Sequence, residues 1–506
     1  MTRSAPTPSA PAASSPRLGG TAAAVLTFVA SASILVLEIA ASRLVAPFVG
    51  NSLTVYTAII GIILGGIAVG AWAGGRLADR IAPTRLLGPT FVVGGIAAIA
   101  TVPVVGLLGP VLAGTGGDGA LSLSLVAFTL PAAVLAGVAP MLVRATITDV
   151  DSSGSLVGRL SAIGTGGALV GTFLAGFVLL GVVPVRTLIV ATGVLLVVAG
   201  VLIQLRLGGR DRTTTVVGLA ALGLALAVAA ALVPNPCQRE SRYYCVAIRT
   251  DAANPGGRTL VLDDLRHAYV DLADPTALEF AYVRWFAAAT GELTDGAARL
   301  DALHIGGGGF SFPRYLRAID PASTHLVLEL DPVVLATARD SLGFTPDDAI
   351  EVAIGDARRT ILDVRADSRR LVVGDAFGGR SVPWHLTTAE FVREIDRVLT
   401  PDGRYVENLI DGPALRFVRA ETATLRSLFE HVAVITWQAT FDGTSGGNVV
   451  LVASHVPFDA AALEAAVRAS TGGVSVLAGD AALDAFTVGA PILTDDFAPA
   501  DQLIGG

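Results

Sequence analysis

Four consecutive glycines, Gly306 to Gly309, follow an apolar run that ends at Ile305, and helical spacing resumes from Phe312 to Ile319. A strand, a glycine turn and a helix in this order bring backbone N–H groups close to a ligand, which is typical of nucleotide sites. The next predicted strand, His325 to Leu330, contains Glu329 near its end. An acidic residue about 20 positions after such glycines commonly holds a ribose hydroxyl pair, so the pattern predicts a nucleoside site.

Two further acidic residues fall at the ends of predicted strands. Asp356 follows the strand at 350–354, and Asp375 ends the strand at 370–374. In an open α/β sheet, ligands bind beyond the carboxyl ends of the strands, so these carboxylates and Glu329 are expected along one edge. A solvated carboxylate at a strand end is the alternative for each residue, and their shared position favours a ligand site.

Several short motifs follow one another along the chain as they do in spermidine synthases. The chain resembles the bacterial branch of that family in which such a domain is fused behind a membrane domain, and the resemblance covers most of the sequence. The motifs that carry it are Ile305-Gly306-Gly307-Gly308, Arg314, Glu329-Leu330-Asp331, Gly355-Asp356-Ala357, Asp375 and Pro401-Asp402-Gly403.

The resemblance implies a nucleoside donor and assigns residues to it. The glycine turn would hold the donor, with Glu329 on its ribose hydroxyls and Asp356 with Ala357 at its adenine. Asp375 would accept the proton that an amine must lose before it attacks the carbon next to a sulfonium. The expected co-substrate is decarboxylated S-adenosylmethionine or S-adenosylmethionine, the expected acceptor is an amine, and no metal is expected.

The sequence departs from the family pattern on the side that would bind a polyamine. Gly309 stands where the family has an aspartate, and Phe310 replaces a glycine and is expected at the mouth of the turn. Gly378 replaces a second aspartate, Gly443 a tyrosine and His267 a glutamine. The nucleoside half of the predicted site is retained, whereas the half that would recognise a polyamine such as putrescine is largely replaced.

Weaker candidates for substrate contact are His267, Tyr282, His385 and Asp495. The histidines also raise the question of a metal, because imidazole is a common ligand. His267, His304 and His385 lie in different predicted elements without ligand spacing, and no cysteine accompanies them, so a metal site is not predicted.

Composition indicates a membrane protein with a soluble part. Hydrophobic residues make up 52% of the 506 residues and charged residues 15%, and the apolar bias lies almost entirely before about residue 235. All 35 basic residues are arginines. The net charge of −8 and the absence of a basic run argue against nucleic acid as a partner.

The predicted fold is an all-α membrane domain followed by an α/β domain with a doubly wound, Rossmann-like S-adenosylmethionine-dependent transferase fold and a small β-domain before it. The expected divisions are a disordered tail at 1–17, a transmembrane domain at 18–234, the small β-domain at 235–276 and the spermidine synthase-like domain at 277–506. Thr387 with Glu390 predicts a capping box for a helix that runs to Leu399. A homodimer is a candidate assembly.

Seven membrane spans are predicted, at 18–46, 54–74, 87–108, 121–145, 161–182, 186–205 and 214–233. Small residues recur every fourth position in spans two and five, which favours close helix packing. The segment from Gly75 to Arg80 resembles the loop after the second span of major facilitator transporters, although a turn with arginines reaching the membrane surface explains it equally well.

Glu38 lies inside the first predicted span, where a charged carboxylate is costly. A proton or cation site is one interpretation, and a protonated or hydrogen-bonded structural glutamate is the other. The sequence leaves both open.

Arginine placement predicts which way the protein crosses the membrane. Ten arginines flank one side of the predicted spans, whereas Arg43 and Arg186 flank the other. With the N-terminus inside and seven spans, the soluble domain of this plasma membrane protein is expected outside the cytoplasm. Cys237 and Cys245 could then close a disulfide loop, with two unrelated buried thiols as the alternative. A cytosolic nucleoside donor argues for the opposite, cytoplasmic placement.

Three functions are compatible with this sequence. The first is a membrane-anchored transferase of polyamine metabolism that moves an aminopropyl or related group to an amine. The second is a sensor that keeps the nucleoside pocket without turnover, and the third is a transporter regulated by the soluble domain. Gly309, Phe310 and Gly443 favour the sensor over strict spermidine synthesis.

Overall fold

The computed structural model describes residues 18–147, 153–207, 210–294, 299–347 and 349–504. The predicted disordered tail at 1–17 lies outside these residues. The chain divides into two compact units, one formed by Met1–Val49 with Thr54–Asn235 and the other by Gly50–Leu53 with Pro236–Gly506.

The first unit is helical. Within the described part of the chain, seven helical segments are long and apolar enough to cross a membrane, and three of these segments combine more than one helix, counting the 3-10 helix Gly109–Val111 and the π-helix Leu174–Leu179. The helices are α1 (Gly20–Val49), α2 (Leu53–Arg80), α3 (Pro83–Leu108), α4 (Gly116–Ala136), α5 (Val138–Thr146), α6 (Ser153–Phe173), α7 (Leu180–Val182), α8 (Val185–Leu207) and α9 (Arg210–Leu232).

Close packing of small residues, predicted for spans two and five, is confirmed at particular positions. A Cβ on Gly70 would lie 2.0 Å from the carbonyl oxygen of Ala133 in α4, and a Cβ on Gly171 would lie 2.4 Å from that of Ala32 in α1. Gly61 and Gly65 face open space and do not contribute. Residues 75–80 continue α2, so the predicted transporter-like loop is wrong.

The second unit begins with a small antiparallel sheet of four strands in the order β1-β2-β3-β4. Its strands are β1 (Arg239–Glu240), β2 (Cys245–Thr250), β3 (Gly257–Leu262) and β4 (Leu265–Asp271). A disulfide joins Cys237 to Cys245, with a Cα–Cα distance of 5.1 Å, and so ties the segment before β1 to the start of β2.

A sheet of eight strands follows, in the order β12-β10-β11-β9-β8-β5-β6-β7. The neighbours from β9 to β7 are parallel, whereas β9-β11, β11-β10 and β10-β12 are antiparallel. The strands are β5 (Asp301–Ile305), β6 (Thr324–Glu329), β7 (Ile350–Ile354), β8 (Arg369–Gly374), β9 (Leu399–Asp411), β10 (His431–Trp437), β11 (Gly447–Ser454) and β12 (Val474–Ala478).

Helices cover both faces of this sheet. They are α10 (Ala281–Thr294), α11 (Ser311–Ile319), α12 (Pro332–Ser341), α13 (Ala357–Thr360), α14 (Ala389–Val398), α15 (Arg416–Arg426), α16 (Gln438–Phe441), α17 (Ala460–Ser470), α18 (Asp480–Thr487) and α19 (Ala500–Ile504). Apolar side chains from the strands pack against the helices in separate clusters on the two faces. The predicted fold class, a helical unit followed by a doubly wound α/β unit with a small β-sheet before it, is confirmed.

One local prediction is wrong. The N-cap of α14 is Thr388, whose hydroxyl accepts a hydrogen bond from the backbone N–H of Phe391, so Thr387 is not the capping residue. Glu390 consequently cannot close a capping box with Thr387, and its carboxylate instead accepts from the backbone N–H of Asp495 at 3.0 Å.

Two carboxyl groups lie inside the core of the second unit. Glu407 in β9 and Glu421 in α15 are 2% and 0% exposed. Glu407 hydrogen-bonds to the hydroxyl of Tyr405, while both carboxyl oxygens of Glu421 lack a hydrogen-bond partner among the described residues. Burial raises the pKa of Glu407 to about 8, and burial with the neighbouring Glu407 raises that of Glu421 well above its usual range.

Candidate active site

The glycine turn lies between β5 and α11, and its backbone requires glycine. Gly306 has a φ of 95° and Gly308 a φ of 50°, both in the left-handed region that disfavours a side chain. A Cβ on Gly306 would lie 2.3 Å from the backbone carbonyl oxygen of Asp375, so a side chain is excluded there for a second reason. The turn therefore brings the end of β5 directly against the end of β8.

Glu329, at the end of β6, holds this turn through hydrogen bonds to its backbone. One carboxylate oxygen accepts from the backbone N–H groups of Gly307 at 2.9 Å and Gly308 at 3.1 Å. The other oxygen accepts from the N–H of Asp331 at 2.8 Å. Burial raises the pKa of Glu329, and these three N–H donors oppose the rise. Each carboxylate oxygen can accept more than one hydrogen bond, so these bonds leave Glu329 able to accept from ribose hydroxyls as well. That contact stays a prediction.

The expected position of Phe310 at the mouth of the turn is wrong. Its ring is fully buried and stacks on Phe344, with the ring centroids 4.0 Å apart. The left-handed backbone at Phe310, with a φ of 55°, precedes α11, and the side chain joins the apolar cluster that β3 and β4 form with α12. Next to it, a Cβ on Gly309 would lie only 2.6 Å from the Cβ of Ala268 in β4, so this position has no room for a side chain.

Asp375 follows β8 and is held by two side chains. One carboxylate oxygen accepts from the amide nitrogen of Asn408 at 2.9 Å, and the other accepts from the hydroxyl of Tyr282 at 3.0 Å. The amide nitrogen of Asn448 donates to the amide oxygen of Asn408 at 3.0 Å, which fixes the orientation of that amide. Burial raises the pKa of Asp375 to about 6, against the lowering effect of the two hydrogen bonds.

These groups face a cavity of about 480 Å³. It lies where the sheet order changes direction, because β5 continues to β6 on one side and to β8 on the other, and such crevices are the usual ligand sites of doubly wound sheets. The glycine turn, Tyr282, Asp375 and His267 all line it. Burial lowers the pKa of His267 to about 4, so its imidazole is neutral at physiological pH.

The other predicted site residues gather around Arg358 and do not line that cavity. Asp356 caps α13 by accepting from the backbone N–H of Arg358, and one of its carboxylate oxygens lies 3.3 Å from the imidazole of His385. The guanidinium of Arg358 donates to the carbonyl of His385 at 2.9 Å and pairs with Asp495 at 2.5 Å. Ala357 is buried in α13. The roles of these residues stay predictions.

Glu38 lies in the middle of α1 and is partly buried, and its role also stays a prediction. Among the described residues, no group of three or more His, Cys, Asp or Glu side chains is arranged to hold a metal ion. His304 and His325 instead form a buried pair, with ring nitrogens 3.1 Å apart, and His267 and His385 lie elsewhere.

Sequence reasoning missed Asn408 and Asn448, which orient Asp375. A signal was present, because Glu407 and Asn408 interrupt the otherwise apolar run from Tyr405 to Ile410. A polar pair inside a buried strand requires partners, and that requirement is a reason to look for a site.

Three curated relatives of the chain are named polyamine aminopropyltransferases. The chain is 36% identical over 129 residues to the polyamine aminopropyltransferase of Vibrio vulnificus, and this alignment covers 25% of the chain and 42% of that protein. It is 29% identical over 405 residues to the polyamine aminopropyltransferase 2 of Streptomyces coelicolor, which covers 74% of the chain and 71% of that protein. The chain thus spans less than half the length of the first of these relatives.

A probable spermidine synthase from Corynebacterium glutamicum is similar in structure, with 27% sequence identity, a TM-score of 0.48, and coverage of 51% of this chain and 95% of that one. No protein-family model matches the chain. Over parts of its length the chain is similar in sequence to polyamine aminopropyltransferases, and a unit of long apolar helices precedes its α/β unit.

Proposed function

We propose that the α/β unit transfers an aminopropyl or related group from an S-adenosyl sulfonium donor to an amine, with Asp375 as the proton acceptor. The observation that carries this proposal is the position of Asp375. It faces the cavity beside the glycine turn, and Tyr282 and Asn408 hold it in place. A carboxylate that is buried but fixed by hydrogen bonds is suited to take a proton near neutral pH.

The proposed reaction needs no metal and balances as follows. The amine nitrogen forms a bond to the donor carbon next to the sulfonium, and the carbon–sulfur bond breaks with its electron pair on sulfur. The sulfonium becomes a neutral thioether, and the proton lost by the amine passes to Asp375. Because the pKa of Asp375 is about 6, this carboxyl group is ionised in most molecules at neutral pH and is able to accept a proton.

We propose that the donor binds along the carboxyl edge of the parallel strands. The N–H groups of Gly307 and Gly308 are already aligned by Glu329, whose carboxylate would contact the ribose hydroxyls. Asp356 and Ala357, which follow β7, would contact the adenine. Support comes from the order of these residues along adjacent strands and from the motifs they share with spermidine synthases.

A binding module without turnover is the second candidate function. The close approach of Ala268 to Gly309 favours it, because this contact leaves no room for a side chain that could hold a donor ammonium group. The fixed Asp375 carboxylate favours the enzyme, since nucleoside binding alone does not require a proton acceptor.

The test is turnover by the full chain in detergent micelles. Decarboxylated S-adenosylmethionine or S-adenosylmethionine would be supplied with a diamine, and the thioether product would be measured by chromatography. We expect product from the wild type and none from Asp375→Asn, which keeps the shape of the side chain and removes the proton acceptor. Nucleoside binding without product in the wild type would support the binding module, and no nucleoside binding would contradict both functions.

We further propose that this multi-pass protein resides in the plasma membrane with its α/β unit outside the cytoplasm. The arginine bias of the apolar helices supports this orientation. The Cys237–Cys245 disulfide supports it as well, because disulfides persist in oxidising compartments.

A further inference from the structure

Two arginines line the cavity beside Asp375. Arg266 lies in β4 and Arg284 in α10, and both contribute to the wall. The guanidinium of Arg266 lies 4.0 Å from the carboxylate of Glu279, which also lines the cavity, and 4.9 Å from the ring centre of Phe280. Arg266 therefore already has an anionic and an aromatic partner.

Arg284 has no comparable partner. Its Nε is buried and donates a hydrogen bond to no residue in the described part of the chain. The two carboxylates of the cavity wall are engaged elsewhere, since Glu279 lies beside Arg266, and Asp375 accepts from Tyr282 and Asn408. A buried guanidinium N–H without an acceptor is costly, and the cost disappears when a ligand supplies one.

Two other positions in the cavity lining carry no charge that would hold a cationic ligand tail. Gly309 has no side chain, and the contact with Ala268 prevents one from being added. His267, which also lines the cavity, is neutral at physiological pH because burial lowers its pKa to about 4. Among the charged groups of the lining, the Nε of Arg284 is the donor for which the described residues supply no acceptor.

We propose that the ligand filling this cavity carries a carboxylate of the α-amino-acid type, and that Arg284 binds it. This proposal rests on the proposed function and narrows its substrate class. The carboxylate has two sources, an intact methionine tail on the donor or an amino acid as the acceptor. Arg284 forms a charge-assisted hydrogen bond to it in either case, which is stronger than a bond between neutral groups.

Two matched ligand pairs distinguish the sources. S-adenosylmethionine and its decarboxylated form differ by the donor carboxylate, and ornithine and putrescine differ by the acceptor carboxylate. Calorimetry on the full chain in detergent measures all four, the second pair with and without methylthioadenosine. We expect the carboxylate member of one pair to bind at least about tenfold more tightly than its decarboxylated partner.

Arg284→Gln should remove that preference while the affinity for methylthioadenosine changes less than about twofold, because this nucleoside has no carboxylate. The matched control is Arg339→Gln, an exposed arginine in α12 that does not line the cavity, and it should leave every affinity unchanged. Equal or tighter binding of both decarboxylated ligands would overturn the proposal. An Arg284→Gln variant that loses methylthioadenosine as well would show a structural role and would overturn it too.

Failure of the proposed function gives a different pattern. If methylthioadenosine does not bind the wild type but an amino acid binds in an Arg284-dependent manner, the alkyl transfer is contradicted and the carboxylate site stands. If neither methylthioadenosine nor an amino acid binds, the alkyl transfer and the carboxylate site are both contradicted.

Discussion

At the scale of single residues, Asp375 is the group whose chemistry is most sharply defined. Burial raises its pKa to about 6, and the hydrogen bonds from Asn408 and Tyr282 hold it from rising further. Turnover should therefore increase with pH through about 6, since the protonated carboxyl group cannot accept the proton of the amine. Product formation measured between about pH 5 and 8 checks this increase, which is the acidic limb of the pH–rate profile.

Asn408→Ala tests the cause of that pKa. Removing a donor to the ionised carboxylate should raise the pKa of Asp375 and move the acidic limb of the pH–rate profile upward. Asn408→Asp would add a second carboxyl group beside Asp375 and should move the acidic limb to still higher pH. A limb that stays in place in both variants would show that Asp375 does not control the rate.

Glu329 holds the glycine turn and is proposed to contact the ribose, and one variant can separate these two roles. Glu329→Ala should weaken methylthioadenosine binding by about 1.5–3 kcal/mol if the carboxylate makes charged hydrogen bonds to the ribose. It should also lower the melting temperature of the protein without ligand, because Gly307, Gly308 and Asp331 lose the acceptor of their N–H groups. Calorimetry and thermal unfolding measure the two effects. A lower melting temperature with unchanged affinity would leave Glu329 as a clamp of the turn only.

At this scale the sequence indicated types of group better than their surroundings. The acidic residues at strand ends were visible because each follows an apolar run. The hydrogen bond between Tyr282 and Asp375 was not predictable, because their sequence separation is 93 and only the packing of α10 on the sheet brings them together. The burial of Phe310 was equally hidden, since it depends on a left-handed backbone next to a distant Phe344.

At the scale of elements, the predicted strand at 350–354 agrees with β7 at both ends, and the strand predicted at 370–374 ends with β8 at Gly374. No strand was predicted at β12, a short edge strand of five residues, although four of these residues are apolar. Helix α10 begins at Ala281, and just before it the backbone N–H of Ala277 closes a turn on the carbonyl of Asp274. Local hydrogen bonds of this kind move an end without changing the apolar pattern.

The corrected cap of α14 leads to a prediction for this element. Thr388→Ala should cost about 1–2 kcal/mol of unfolding free energy, because it removes the cap. The same hydroxyl also accepts from Arg358 at 2.8 Å and donates to Asp495 at 2.8 Å. Thr388→Ser keeps the hydroxyl and serves as the control in denaturant unfolding. Equal losses in both variants would assign the effect to the methyl group and contradict the capping role.

At the scale of the whole molecule, the buried Glu407 and Glu421 make stability depend on pH. Their pKa values in the folded protein lie above the unfolded value of 4.5, so the folded protein binds more protons than the unfolded chain. The stability that the two protonated carboxyl groups contribute is fully present below about pH 4.5 and is lost as the pH rises through about 8. Glu407 alone should lower the unfolding free energy by on the order of 3 kcal/mol between about pH 6 and 8, and Glu421 should add to this decline.

Thermal unfolding of the full chain at several pH values measures this slope. Glu421→Gln leaves one carboxyl group of the pair and should flatten the alkaline decline. Stability that rises between about pH 6 and 9 would contradict a protonated pair.

The orientation in the membrane is the second prediction at this scale. Cys245 should react with a membrane-impermeant thiol reagent in intact cells, and only after reduction of its disulfide with Cys237. The Cys237→Ser variant should react without reduction. Labelling that requires cell lysis in both cases would place the α/β unit inside the cytoplasm. The sequence suggested this orientation through the arginine bias, with Cys237 and Cys245 in agreement, because no residue pattern reports directly which side of the membrane a domain occupies.

The contact between Ala268 and Gly309 also constrains how the protein can change. With the two Cβ positions only 2.6 Å apart, Gly309→Asp alone would force the small sheet away from the glycine turn. Ala268→Gly alone removes one buried methyl group, a modest loss of stability. After that step an aspartate at 309 is no longer blocked by this contact. A route toward an acidic group at this position therefore has a preferred order of substitutions, first in β4 and then in the turn, and the reverse order passes through an intermediate that folds poorly.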